Sequence, residues 1–117
     1  MRRDLEHVQD MVDAAQLALS YVRDATLESF RHDTLCQDAV IRRIELIGEA
    51  ARRVSDQTRS AHPEVPWAVM IAMRNLMIHD YDDVDMDIVW DTVQQDLPDL
   101  VDQLTRLAGF LKDTEQE

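Results

Sequence analysis

An arginine, an asparagine, a histidine and a tyrosine fall within eight consecutive residues, Arg74-Asn75-Leu76-Met77-Ile78-His79-Asp80-Tyr81, at the end of an apolar run. Histidine is the side chain whose ordinary pKa lies nearest neutrality, so it both gives and takes protons. Arginine stays charged, and its planar fork of donors matches phosphate geometry. A proton shuttle beside a phosphate clamp is what metal-free cleavage of a phosphodiester requires. His79 is the candidate acid or base, and Arg74 the candidate stabiliser of charge on phosphoryl oxygens. Asn75 is a candidate to hydrogen-bond a phosphate or orient the imidazole. As a bare pattern, Arg-x4-His-x-Tyr is weak. The ordinary alternative is an ion-paired arginine, a capping histidine and a packed tyrosine.

The elements that must position these residues read as helical throughout. Leu5, Val8, Val12, Ala15, Leu19 and Val22 recur in steps of three and four, predicting one long first helix that runs to about Phe30. Thr34 followed by Gln37 suits a capping box that starts a second helix, with the stripe Val40, Ile44, Ile47, Ala51 and Val54. Ser55 to Pro66 reads as a polar connection. A third helix, Trp67 to about Ile78, is apolar on several faces, which predicts central burial or a subunit interface. Asp80 to Asp85 reads as a loop. Met86, Trp90, Val93, Leu97, Leu100, Leu104, Ala108 and Leu111 resume helical spacing, and Pro98 is expected to split or kink that helix. Asp113 to Glu117 is expected to fray. The expected fold is an all-α, antiparallel bundle of four to five helices, one domain over residues 1–117.

In a continuous helix Arg74 and His79 stand about 140° apart around the axis. One site can use both if the helix ends near His79, or if two copies of the helix face each other across a cleft. Asp80, Asp82 and Asp83 favour termination, because carboxylates are unfavourable at the negative end of a helix. Arg52 and Arg53 on the second helix are possible phosphate contacts, with ion pairs to Glu45, Glu49 and Asp56 as the alternative. Gly48 in mid-helix costs stability unless a close crossing needs it, and a dimer interface is one candidate place for that crossing. Met70, Met73 and Met77 are candidates for the same interface or for core filling.

Composition removes other classes. A chain of 117 residues with 45% hydrophobic content can bury a core. The single Cys36 excludes an internal disulfide framework and reads as a small hydrophobe. The amino terminus leads into no apolar segment of signal-peptide type, and no run is long enough to span a bilayer, so a cytoplasmic protein is expected. The net charge of −12 opposes indiscriminate nucleic-acid binding, but residues 75–117 carry a net −10, whereas residues 23–74 are neutral and hold most of the arginines. No metal is expected. His7, His32 and His62 have no partner ligands at metal spacing. Asp83, Asp85 and Asp87 mimic a calcium loop, but Ile88 stands where its glycine belongs and Gln94 where its glutamate belongs. No cofactor-binding pattern occurs.

The segment from Pro66 to Asp85 (PWAVMIAMRNLMIHDYDDVD) resembles the signature of the HepT-like toxins of the HEPN superfamily. Upstream, Ile47-Gly48-Glu49-Ala50-Ala51 resembles that family's second-helix motif. Downstream, Ile88-Val89-Trp90-Asp91 and Asp96-Leu97-Pro98-Asp99-Leu100 resemble its last helices. Ala72 stands where the family often has glycine, a departure that bears on local packing. The resemblance implies a metal-independent endoribonuclease, the toxin of a toxin–antitoxin system, acting as a homodimer on RNA. It implies Arg74 and His79 as the catalytic pair and Asn75 as a supporting residue. It also implies Tyr81 as the residue that an antitoxin, a nucleotidyltransferase of the MntA type, modifies with AMP. The competing reading is a catalytically silent HEPN dimer that binds nucleotides or a protein partner, with the acidic carboxyl-terminal half as its recognition surface.

Overall fold

The computed structural model describes the backbone of residues 2–79 and 84–115. Among these residues the structure is all-α, as the apolar spacing requires. The helices are α1 (Arg2–Tyr21), α2 (Leu27–Arg31), α3 (Thr34–Arg53), α4 (Asp56–Ala61), α5 (Trp67–His79), α6 (Met86–Asp91) and α7 (Leu97–Glu115). A π-helical turn, Thr92–Asp96, joins α6 to α7. No described helix is long and apolar enough to cross a membrane.

α1 and α3 form the centre of the bundle, with α5 packed on α3 and α7 on α1. Two contacts fix α1 and α3 as antiparallel. At one end the Cys36 thiol lies 3.6 Å from the Tyr21 carbonyl. At the other, Asp4 accepts the Ser55 N–H. The expected α3 stripe is buried in full, from Val40 to Val54. On α1 the buried face includes Val8, Met11, Ala15 and Ala18, with Val12 and Leu19 only partly covered, and Val22 is buried just past its end.

Several boundaries differ from the sequence expectation, each for a local reason. The first helix stops at Tyr21 rather than near Phe30. A separate α2 follows, because Thr26 and Ser29 form a reciprocal capping box: Ser29 N–H donates to Thr26 Oγ1 at 3.1 Å and Thr26 N–H to Ser29 Oγ at 2.9 Å. The N-cap of α3 is Asp33, whose carboxylate accepts the Cys36 N–H at 3.0 Å, not Thr34. Gln37 instead reaches back to the Phe30 and Arg31 carbonyls, tying α2 to α3. The connection after Ser55 contains α4, which Ser55 caps through the Thr58 N–H.

Just before Pro98 the run divides, as expected, into a short helix, α6, and a longer one, α7, with the π-turn between them. Proline cannot donate to the carbonyl four residues back. The turn before it widens, so that the Leu97 N–H reaches Thr92 O, five residues back. The chain therefore continues from α6 into α7, which extends to Glu115 where fraying was expected from Asp113.

Candidate active site

α5 carries the motif. Pro66 stands just before it, and the Pro66 carbonyl accepts the Met70 N–H at 3.1 Å. The Trp67 indole donates to the His62 carbonyl at 3.0 Å, and Val65 and Trp67 are buried, so the helix enters from a fixed start. Met70 and Met77 are buried in the chain's own core and Met73 is partly buried against it. These two buried methionines fill space inside one subunit and leave no side chain for an interface between copies.

α5 is apolar on several faces, yet not all of those faces are buried. Val69 is 58% exposed, and Ala68, Ala72 and Asn75 are exposed as well. Ala68, Ile71, Ala72 and Asn75 line an open groove shared with Asp56, Arg59 and Ser60 of α4.

Arg74 lies where α5 crosses α3. A Cβ placed on Gly48 would sit 2.1 Å from Arg74 Cβ, 2.9 Å from Arg74 Cγ and 2.8 Å from the Met70 carbonyl oxygen. No side chain fits there, so the two backbones meet only because residue 48 is glycine. The crossing is internal to the chain, which corrects the expectation of a dimer interface at Gly48. The guanidinium then lies between two polar neighbours. Arg74 Nη1 donates to Asn75 Oδ1 at 3.0 Å, and Arg74 Nη2 is 3.9 Å from Glu49 Oε1. Its Nε is buried without a hydrogen-bond partner among the described residues.

Arg52, Arg53, Arg74 and Glu49 line one surface depression at the carboxyl-terminal end of α3. Sequence spacing offered Arg52 and Arg53 as possible phosphate contacts or as ion-paired surface residues. Among the described residues neither makes an ion pair. The anticipated acidic partners are engaged elsewhere: Glu45 with Arg42 at 3.2 Å, Asp56 with Arg59, and Glu49 with Arg74. Three arginines thus converge on one depression that holds a single carboxylate. Glu49 was not singled out as a site residue; its signal was its place directly after the glycine that the crossing needs.

The backbone stays helical through His79, so position 79 is about 140° around the axis from position 74. The His79 side chain, the aspartates Asp80, Asp82 and Asp83, and Tyr81 lie outside the described residues. The far side of that segment is anchored firmly. Asp85 caps α6 through the Asp87 N–H at 2.9 Å. Arg31 forks onto Asp87, with Nε to Oδ1 at 2.9 Å and Nη2 to Oδ2 at 2.6 Å. Hydrogen bonds and charge from Arg31 hold the Asp87 carboxyl below its ordinary range. Phe30 stacks at a tilt on Trp90 with ring centroids 5.4 Å apart. Asp85 and Asp87 are therefore committed to a cap and an ion pair rather than to a cation. Among the described residues no three His, Cys, Asp or Glu side chains gather as a metal site.

The family profile described as Ribonuclease HepT-like matches residues 11–107. The "Probable ribonuclease HepT" of Thermococcus cleftensis is 36% identical over 106 residues, covering 91% of this chain and 96% of that protein. A "Putative RNase" of Methanocaldococcus jannaschii is 33% identical over 98 residues, covering 83% and 90%. One of Caldanaerobacter subterraneus, also named "Putative RNase", is 27% identical over 107 residues, covering 92% and 96%. No solved structure matches significantly. The matched span takes in the Gly48 crossing, the arginine-lined depression and the Arg-x4-His-x-Tyr segment, and the chain belongs to the HepT-like family of the HEPN superfamily.

Proposed function

We propose that the protein is a metal-independent endoribonuclease, the toxin of a toxin–antitoxin pair, with a site built from Arg74 and His79 at a homodimer cleft. The observation that carries this reading is the convergence of Arg52, Arg53 and Arg74 on one depression while the chain as a whole is acidic. In a molecule of net charge −12, such a cluster is a focused anion site rather than a by-product of basic composition. Family membership supports reading that anion as the RNA backbone.

The chemistry follows from the side chains. His79 takes the proton from a ribose 2′-OH. The 2′-oxygen bonds to the adjacent phosphorus as the bond from phosphorus to the 5′-oxygen breaks. The products are a 2′,3′-cyclic phosphate and a 5′-OH, whose oxygen takes a proton from water or from the partner subunit's His79. Arg74 offsets the charge that develops on the non-bridging oxygens. Asn75, bonded to the guanidinium, holds it in register.

The shared site has a geometric argument. Arg74 turns onto α3, and position 79 stands about 140° away on the same helix. Two copies meeting along the open face of α5 supply an arginine and a histidine to one cleft. Tyr81, two residues beyond His79, is the residue an MntA-type nucleotidyltransferase antitoxin would modify. Its phenolic oxygen attacks the α-phosphorus of ATP, pyrophosphate leaves, and the AMP adds bulk and negative charge where RNA must enter.

Incubating the purified chain with RNA in excess chelator tests the assignment. Cleavage is expected, with 2′,3′-cyclic phosphate ends. His79→Ala is expected to abolish it while helicity by circular dichroism stays unchanged. An undiminished rate in that variant overturns the role of His79.

A further inference from the structure

We propose that Glu49 is a positioning residue for Arg74, and that Gly48 beside it is the clearance that makes the pairing possible. The inference rests on the reading of Arg74 as the phosphate-stabilising group. Gly48 and Glu49 occupy consecutive positions of α3, directly under the crossing. The first removes every side-chain atom from the path of Arg74, whose Cβ and Cγ fill that space. The second presents a carboxylate oxygen 3.9 Å from Arg74 Nη2. On the other side Asn75 Oδ1 accepts from Nη1 at 3.0 Å. Both terminal nitrogens of the guanidinium are thus met, one by a hydrogen bond and one by a charge. The base of the side chain is pinned against backbone, and only a fifth of it is exposed.

The 3.9 Å separation is informative. It is too long for a direct hydrogen bond and short enough for a favourable charge contact. Glu49 therefore acts on the guanidinium through charge, and Nη2, which carries two N–H donors, can still meet a phosphate oxygen. The same carboxylate lines the depression with Arg52 and Arg53. Facing phosphates, it opposes binding of RNA while it orients the group that acts on RNA. A residue with both effects leaves a distinctive kinetic signature: its loss lowers turnover but does not weaken substrate binding.

The experiment measures kcat and KM separately for RNA cleavage in excess chelator, using the full chain, Glu49→Gln, Arg74→Ala and the double variant. The amide keeps the shape of Glu49 and removes its charge. Glu49→Gln is expected to lower kcat roughly tenfold through misplacement of the guanidinium, with KM unchanged or lower. On the Arg74→Ala background the same change is expected to alter kcat by less than about twofold, because its target is gone. Full kcat in Glu49→Gln beside a crippled Arg74→Ala overturns the positioning role. So does a loss that multiplies independently on the Arg74→Ala background, or one that vanishes below a lowered melting temperature. Wild-type cleavage by Arg74→Ala is a different result, and overturns the reading of Arg74 itself.

Discussion

Among the described residues Asp4 is the one buried acid, and it makes no chemistry of its own. It is 3% exposed, yet three donors meet it: Ser55 N–H at 3.0 Å, Ser55 Oγ at 2.6 Å and Thr58 Oγ1 at 2.6 Å. Burial pushes its carboxyl up, but the hydrogen bonds from Ser55 and Thr58 together outweigh that and leave it lowered. A carboxyl lowered by folding adds stability above its unfolded value, near 3.8, and that stability is lost as pH falls through the folded value. The contact joins the start of α1 to the turn after α3, immediately beyond Arg52 and Arg53. Asp4→Ala strands the Ser55 N–H and two hydroxyls, and is expected to cost about 1–3 kcal/mol in urea unfolding. The variant is also expected to lose part of the wild type's acid-induced destabilisation below about pH 4, a difference that melting curves at pH 3 and pH 7 will measure. Identical pH dependence in the two proteins excludes the network as its source.

At the scale of elements, the two glycines are a controlled comparison. Both lie inside helices, where glycine costs stability relative to alanine. Gly48 faces α5 at distances that exclude any side chain, whereas a Cβ on Gly109 meets nothing within 4 Å. Gly109→Ala is expected to stabilise by about 0.5–1 kcal/mol, since only the helix-propensity gain remains. Gly48→Ala must separate α3 from α5 and is expected to destabilise by about 1–3 kcal/mol or more. Thermal melting of the two variants should shift in opposite directions; a shift in the same direction defeats the crossing argument. Spacing alone made the long helices legible. The α3 stripe and the α7 leucines Leu97, Leu100, Leu104 and Leu111 are buried as their periods require. Periodicity was less informative where a short side-chain motif decides. Thr26 and Ser29 start a separate helix within a run that looks continuous, and a π-turn precedes Pro98. The site was legible as a set of residue types and only partly as an arrangement. That Arg52 and Arg53 share a depression with Arg74 depends on how α3 crosses α5, and the spacing of either helix alone does not contain that angle.

Viewed as a whole, the molecule is long and narrow, 50 × 28 × 20 Å, with charge and apolar surface unevenly placed. The basic depression lies on α3 and α5, while residues 75–117 carry a net −10. α5 is apolar on several faces but packs chiefly on α3. Its open face holds Ala68, Ile71, Ala72 and Asn75. Small residues at positions 68 and 72 let a second helix approach closely, and a two-fold interface sets the same face against itself. Asn75 then lies at the edge of the contact, and Arg74 of each subunit lies just outside it. The proposed dimer would then rest on side chains other than the methionines and Gly48 that the sequence offered as candidates. Ala72→Arg inserts a long charged group where two helices would meet, without touching a buried position of the subunit. Sedimentation velocity is expected to show a dimer for the parent chain and a shift to monomer for Ala72→Arg, with circular dichroism unchanged. RNA cleavage per chain should fall in step with the dimer fraction and recover at high protein concentration. A monomeric parent chain that cleaves with a rate strictly proportional to its concentration removes the shared cleft, and leaves Arg74 and His79 to be reconciled within one helix.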